Sequence, residues 1–295
     1  MARVFWNAAK TRIFIAILLS GCAGRQTAIL ERPAPVPQPQ ANAATLQKDA
    51  ENLWAQRSDP VKARQALEAF KRAYAAHPNR EMGTKLARAH HFVGYYIETD
   101  PDSQAARFLS GLETGERVLS LNNDFRMKYL KTKEDRRSLA LLDRAWTPAL
   151  YWTAANLAQW AEMQPWRVRY GNKGRAEIFM RRLRELEPNY YYGGSYRYFA
   201  VLPTRGRAPF VDLDDSKRAF EEVVALAPNF LANKRLYAET YAAKKKDRVL
   251  FTKLLNEVIA AKIDNATEMA PENKYEQARA QKLLAQIDKY FEKKK

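Results

Sequence analysis

Few residues in this chain are placed to make or break bonds. Its three histidines are His77, directly before Pro78, and the consecutive pair His90 and His91. Consecutive helical residues point about 100° apart, so His90 and His91 cannot share a metal ion as an i, i+4 pair does. The lone cysteine, Cys22, excludes both an intramolecular disulfide and a thiolate zinc site. Gly193-Gly194-Ser195 has no third glycine and no orienting histidine, and no Gly-x-Ser-x-Gly elbow, Walker loop or dinucleotide loop occurs. Asp214-Asp215 and Glu221-Glu222 fit helix caps and solvated faces better than acid–base work. The expectation is a protein that is not an enzyme and holds no cofactor or metal.

Recognition is better supplied. Lys and Arg number 50 against 33 acids, giving +17 and a pI near 9.8. Arg167 and Arg169 stand beside Trp166 and Tyr170 in the stretch 164–174, read as a loop. Arg205 and Arg207 occupy a second insertion, 203–214. Arginines beside aromatics suit a carboxylate or an acidic surface, a merely solvated basic loop being the plainer alternative. Trp146, Trp152 and Trp160 are offset on a helix by about 120° and 80°, so they either line a broad groove or pack a core. The run Tyr190-Tyr191-Tyr192-Gly193-Gly194 marks a break after a helix, because glycine admits backbone angles and close contacts that other residues do not. Arg197 follows it, placed to meet an anionic ligand or to pair with a nearby acid.

The compartment narrows the partners. Arg3, Lys10 and Arg12 precede the apolar stretch Ile13–Leu19, and Ser20, Gly21 and Cys22 follow, as in an export signal too short to span a bilayer. Leu19-Ser20-Gly21-Cys22 resembles the lipobox of bacterial lipoproteins, which implies cleavage before Cys22 and acylation there. Residues 1–21 are then the signal, and their loss lowers the charge by three, to +14. Residues 22–45 form a tether, with Pro33, Pro35, Pro37 and Pro39 favouring polyproline II. At about 3.1 Å per residue, twenty such residues reach at most roughly 60 Å. An exported protein meets no chromatin, so nucleic acid is not expected. Ala23 after the cysteine, by resemblance to Gram-negative lipoproteins, favours the periplasmic face of the outer membrane.

The recognition residues must sit on helices. Only 11 glycines occur, too few for turn-rich β architectures, and from Leu46 the chain reads as one helical domain, 46–295. Leu86, Ala89, Val93 and Ile97 recur at helical spacing, as do Phe108, Leu112, Val118 and Leu121. Asp59-Pro60 and Asp100-Pro101 place a capping acid before a proline suited to the first turn. One spacing occurs three times: Ala66, Phe70, Ala73, Pro78; Ala176, Met180, Leu183, Pro188; and Ser216, Phe220, Val223, Pro228. It matches the second helix of a tetratricopeptide repeat, in degenerate form, since the closing prolines are not evenly spaced. The fold expected is all-α, with about eleven helices in stacked hairpins. The charged stretch 122–138 reads as a loop or frayed helix.

Ala145-Trp146-Thr147-Pro148-Ala149-Leu150-Tyr151-Trp152, then Trp160, then Pro188 through Arg197, Asp215 to Pro228 and Tyr237-Ala238-Glu239 resemble, in that order, the T-component lipoproteins of tripartite ATP-independent periplasmic (TRAP) transporters. The resemblance covers roughly residues 46–262. It departs at 204–215, where such proteins often carry another glycine-rich turn and this chain has Val-Asp-Leu-Asp-Asp. The resemblance implies a helical accessory lipoprotein that meets the periplasmic solute-binding protein and holds part of an apolar ligand path. Trp146, Trp152, Trp160, Tyr192, Gly193, Gly194 and Arg197 are then the candidate ligand-facing residues, and Arg167, Arg169, Arg205 and Arg207 the candidate partner-facing ones. A homo-oligomer is compatible with it. The competing reading is a general tetratricopeptide-type scaffold for envelope assembly or secretion.

Overall fold

The computed structural model describes residues 42–205 and 212–291; Cys22, the export signal, nearly all of the tether and Arg207 lie outside the described residues. Every element described is helical and none is a strand. The chain runs α1 (Ala43–Ala55), α2 (Pro60–Ala76) and α3 (Arg80–Phe92), which continues as a π-helical turn Val93–Ile97. Then come α4 (Pro101–Leu119), α5 (Asn123–Thr132), α6 (Asp135–Leu139), α7 (Thr147–Glu162) and α8 (Trp166–Leu186). After α9 (Tyr190–Val201) and α10 (Leu213–Leu226), α11 (Ala232–Leu236) passes through a second π-helical turn, Tyr237–Ala242, into α12 (Ala243–Lys245). The last are α13 (Arg248–Ala260), α14 (Ala270–Ala285) and α15 (Asp288–Phe291).

The caps explain several starts and stops. The Asp59 carboxylate accepts from the backbone N–H groups of Val61 and Lys62, and Asp100 accepts from Ser103, with Pro60 and Pro101 in the first turns. Helices α2, α8 and α10 end alike. His77, Glu187 and Ala227 have φ of −145°, −157° and −139° and ψ of 81°, 83° and 71°. Each precedes a proline, whose ring disfavours the α region for the residue before it. The small residues of the recurring spacing, Ala66, Ala176 and Ser216, are buried, and so are the larger ones that follow them. Val249, at the start of α13, is exposed.

Two stretches read as irregular are helical, which takes the helices beyond the expected eleven. In 122–138, the Asn122 side chain caps α5, and Phe125 and Tyr129, four residues apart, bury one stripe against Leu139 and Phe179. That burial outweighs the surrounding charge. In 164–174, Pro165 precedes the first turn of α8, and Asn172 turns inward to donate to the Val168 carbonyl. Ala176, Met180 and Leu183 pin the rest of α8 to the core despite Gly171 and Gly174.

Each helix packs mainly on its chain neighbours: α1 on α2, α3 on α4, α7 on α8, α9 on α10 and α13 on α14. The α5–α6 excursion is bridged by direct packing of α4 on α7. Helix α14 then returns to the beginning of the chain. The Arg57 guanidinium is 2.9 Å from the Glu272 carboxylate, and Tyr275 donates to the Ser58 carbonyl at 3.1 Å and stacks on Tyr96. The array closes around an interior space.

Candidate functional site

That space is a cavity of about 370 Å³. Helix α3 and its π-turn supply Arg88, His91, Phe92, Tyr95 and Tyr96. Tyr151 and Trp152 come from α7, Tyr191, Gly194 and Arg197 from α9, Phe230 from the loop before α11, and Glu272 and Glu276 from α14. Both π-helical turns border it, the second through Glu239 and Thr240. A π-turn inserts a residue into the helical register and re-aims the side chains beyond it, a device that recurs at functional sites. Here Tyr95 and Tyr96 lie within the first such turn.

The entry to α9 shapes the opposite wall. Tyr191, Tyr192 and Gly193 all adopt left-handed angles, with φ of 48°, 58° and 75°. Left-handed backbone costs a non-glycine residue roughly 1–2 kcal/mol, so two tyrosines held there mark a conformation imposed by its surroundings. The turn sets the Tyr191 ring 4.6 Å from Trp152 and stacks Tyr192 on Phe230 at 4.6 Å. It also aims the carbonyls of Tyr191 and Tyr192 at Arg197, whose guanidinium donates to them at 3.3 and 3.2 Å. Next along, Gly194 lets Tyr151 close in, since a Cβ there would fall 2.3 Å from the Tyr151 ring.

Most charges around the cavity are cancelled within the fold. Arg88 bridges to Glu272 at 3.0 Å and also reaches Glu268. Arg235 holds Glu276 and Glu239, and Tyr96 donates to Glu276 at 2.7 Å. Arg205 pairs with Glu162 at 2.6 Å. Burial alone would push the Glu276 carboxyl up, but Arg235 more than offsets it and holds the group ionised. Arg197 differs. It is 9% exposed, and besides the two carbonyls it donates to the Asn233 Oδ1 at 2.9 Å and the Tyr151 hydroxyl at 3.0 Å, with Phe230 beneath it at 4.9 Å. No carboxylate among the described residues pairs with it. The Tyr151 hydroxyl, accepting from Arg197, keeps its own proton to donate. His91 is deep in the structure yet faces the cavity; burial, followed by the charges of Arg197, Arg279 and Arg88, pulls its pKa down to about 3, so the ring is neutral.

The expected ligand-facing residues divide. Trp152, Gly194 and Arg197 line the cavity, and Arg205, expected to face a partner, reaches its edge. Tyr192 and Gly193 build the turn behind the wall. Trp160 packs in a core with Phe108, Leu112 and Leu157, while Trp146 is half-buried under Arg80. Arg167 and Arg169 lie on the exposed first turn of α8. Sequence reasoning missed Arg88, His91, Phe92, Tyr95 and Tyr96. Their signal was a helical stripe at i, i+3, i+4, i+7 and i+8, beside the apolar stripe of Leu86, Ala89, Val93 and Ile97 that was read as the whole face. Glu272 and Glu276 carried no local signal.

Among the described residues no group of histidines, cysteines and acids is arranged to hold a metal ion, and no helix is long and apolar enough to cross a membrane. Comparison with curated proteins gives no match. A family model described as TRAP transporter T-component matches residues 98–291, which include the left-handed turn, the second π-turn and helix α14. The chain thus belongs to the TRAP transporter T-component family, the accessory components of TRAP uptake systems.

Proposed function

We propose that this T-component binds a small organic anion with an apolar portion in the central cavity, and that it does so in association with the periplasmic solute-binding protein of its transporter. One observation carries the ligand reading: Arg197 is a buried cation held only by neutral acceptors, facing an aromatic space. A buried charge without a counter-charge is costly, and a ligand carboxylate supplies the missing partner through charge-assisted hydrogen bonds. The Tyr151 hydroxyl and the neutral His91 add polar contacts, and Trp152, Tyr95, Tyr191 and Phe230 take the apolar part. At about 370 Å³ the space falls within the usual range for small-molecule sites, roughly 300–1,000 Å³. The protein is on this reading a binding component rather than an enzyme.

The chain is proposed to reach its place as a lipoprotein, with residues 1–21 removed, Cys22 acylated at the periplasmic face of the outer membrane, and 22–45 as the tether. The body is proposed to derive from degenerate tetratricopeptide-like hairpins; the shared endings of α2, α8 and α10 support this. Family membership supports the solute-binding protein as partner. The test is a titration with straight-chain carboxylates of increasing length, read by tryptophan fluorescence. Affinity should rise with each methylene until the cavity is full; no binding at any length defeats the ligand reading. Surface plasmon resonance with the transporter's own solute-binding protein tests the partner. No association even at low salt returns the protein to the general scaffold reading.

A further inference from the structure

The start of α8 presents a surface that the cavity and its walls do not use. Trp166, Arg169, Tyr170 and Lys173 lie at i, i+3, i+4 and i+7, on one stripe within about 100° of the helix circumference. Trp166 is 66% exposed and Tyr170 79% exposed, and the Arg167 guanidinium stands 5.3 Å from the centre of the Trp166 ring. No acid occurs from Gln164 to Gly174. Arg167, Arg169 and Lys173 make no ion pair with any described residue. The next acid on the stripe, Glu177, is taken by Arg181 at 2.7 Å. The other side of the same two turns is fixed inward by Asn172, Val168 and Ala176. Beside the stripe, a Cβ added at Gly174 would meet no atom within 4 Å, so this end of the helix is open and convex.

We propose that this stripe rests on a membrane surface bearing anionic headgroups, with Trp166 and Tyr170 in the interfacial zone and Arg167, Arg169 and Lys173 on lipid phosphates. Exposed indole and phenol rings have an apolar body and a polar tip, which suits the boundary between acyl chains and headgroups. Cations interleaved with them gain from a negative surface without needing a shaped pocket, whereas an acidic protein would have to complement a convex, aromatic face. A net charge of +14 after loss of residues 1–21 favours the same partner. Such a contact would orient the body on the bilayer, something an anchor at Cys22 does not do by itself.

Site-directed spin labelling tests this in the full chain carrying Cys22→Ser, so that the only thiol is the one introduced. One label goes at Gly174→Cys, where there is room for it, and a control label at Val249→Cys, also exposed. On vesicles of phosphatidylcholine with phosphatidylglycerol, the first label should gain access to dissolved oxygen and lose access to a nickel chelate, while the control stays aqueous. Arg169→Gln or Lys173→Gln should each weaken that state about fivefold, and Trp166→Ala with Tyr170→Ala should abolish it. Identical behaviour of the two labels would overturn the proposal, as would insensitivity to these variants. Protection of the first label only when the solute-binding protein is added would overturn it in favour of a protein partner.

Discussion

Two buried arginines in adjoining parts of the molecule make the functional argument. Arg175 on α8 is 6% exposed and Arg197 on α9 is 9% exposed. Arg175 contacts the Glu116 carboxylate and lies 3.3 Å from Asp135, tying α4, α6 and α8 together. Burial alone would lower its pKa, but Glu116 and Asp135 more than offset this and raise it. Its charge is used up inside the fold. Arg197 is solvated instead by two carbonyls, an amide and a phenol, all neutral. Equal burial therefore conceals opposite roles, and what separates them is whether the partner is a charge or a dipole.

The largest effects should fall on the packed side of that comparison. Arg175→Met leaves two carboxylates buried without their cation and should cost about 3–5 kcal/mol. Arg197→Met strands only neutral acceptors and should cost about 1–3 kcal/mol. Urea midpoints would show the order, and equal losses would break the distinction. Trp160→Ala, in the core beside Phe108, should similarly cost about 3–5 kcal/mol. Trp152→Ala at the cavity wall, where the buried ring packs on His91, Tyr151 and Tyr191, should cost a comparable amount but should in addition weaken anion binding, which Trp160→Ala should not.

Gly194→Ala should act by crowding. Its methyl would press on the Tyr151 ring, and the ring cannot yield without disturbing the bond that Arg197 makes to its hydroxyl. A loss of about 1–3 kcal/mol is expected, together with weaker anion binding. Fluorescence titration of a variant that folds but binds as the parent does would remove Gly194 from the wall.

How much of this was legible follows from where each signal lies. Asp59-Pro60, Asp100-Pro101 and the three closing prolines act on their own neighbours, so the helices they bound could be read directly. Gly194 and Arg197 were readable as residue types at a helix break, and Trp152 as one of three tryptophans at helical spacing. The π-turns were not, because an inserted residue leaves no mark in side-chain periodicity that a regular helix lacks. Nor was the closing of the ring, since Arg88 and Glu272 are far apart in the chain and only packing brings them to 3.0 Å. The stretch 164–174 misled for the opposite reason. Its glycines and charges favour a loop locally, but the buried face of α8 extends the helix through them.

A further effect concerns pH and is small near neutrality. His91, facing the cavity, and His90, buried near Lys71 and Arg107, both have their pKa pulled down to about 3 from an ordinary 6.5. Between those values the unfolded chain binds protons that the folded chain refuses, so stability falls as pH drops from about 6.5 toward about 3. His91→Gln should remove about half of the histidine contribution to that slope. Unfolding midpoints measured across the range would show it, and an unchanged slope would mean that His91 takes up a proton in the folded state.

The account turns on whether the charge of Arg197 is available to a ligand. Calorimetric titration of octanoate and octanol, against the parent and against Arg197→Gln, measures this directly. The parent should prefer octanoate by about tenfold or more, as a charge-assisted hydrogen bond implies, and the variant should bind both alike while remaining folded. A parent that binds the two equally, or a variant that keeps the preference, would contradict the claim.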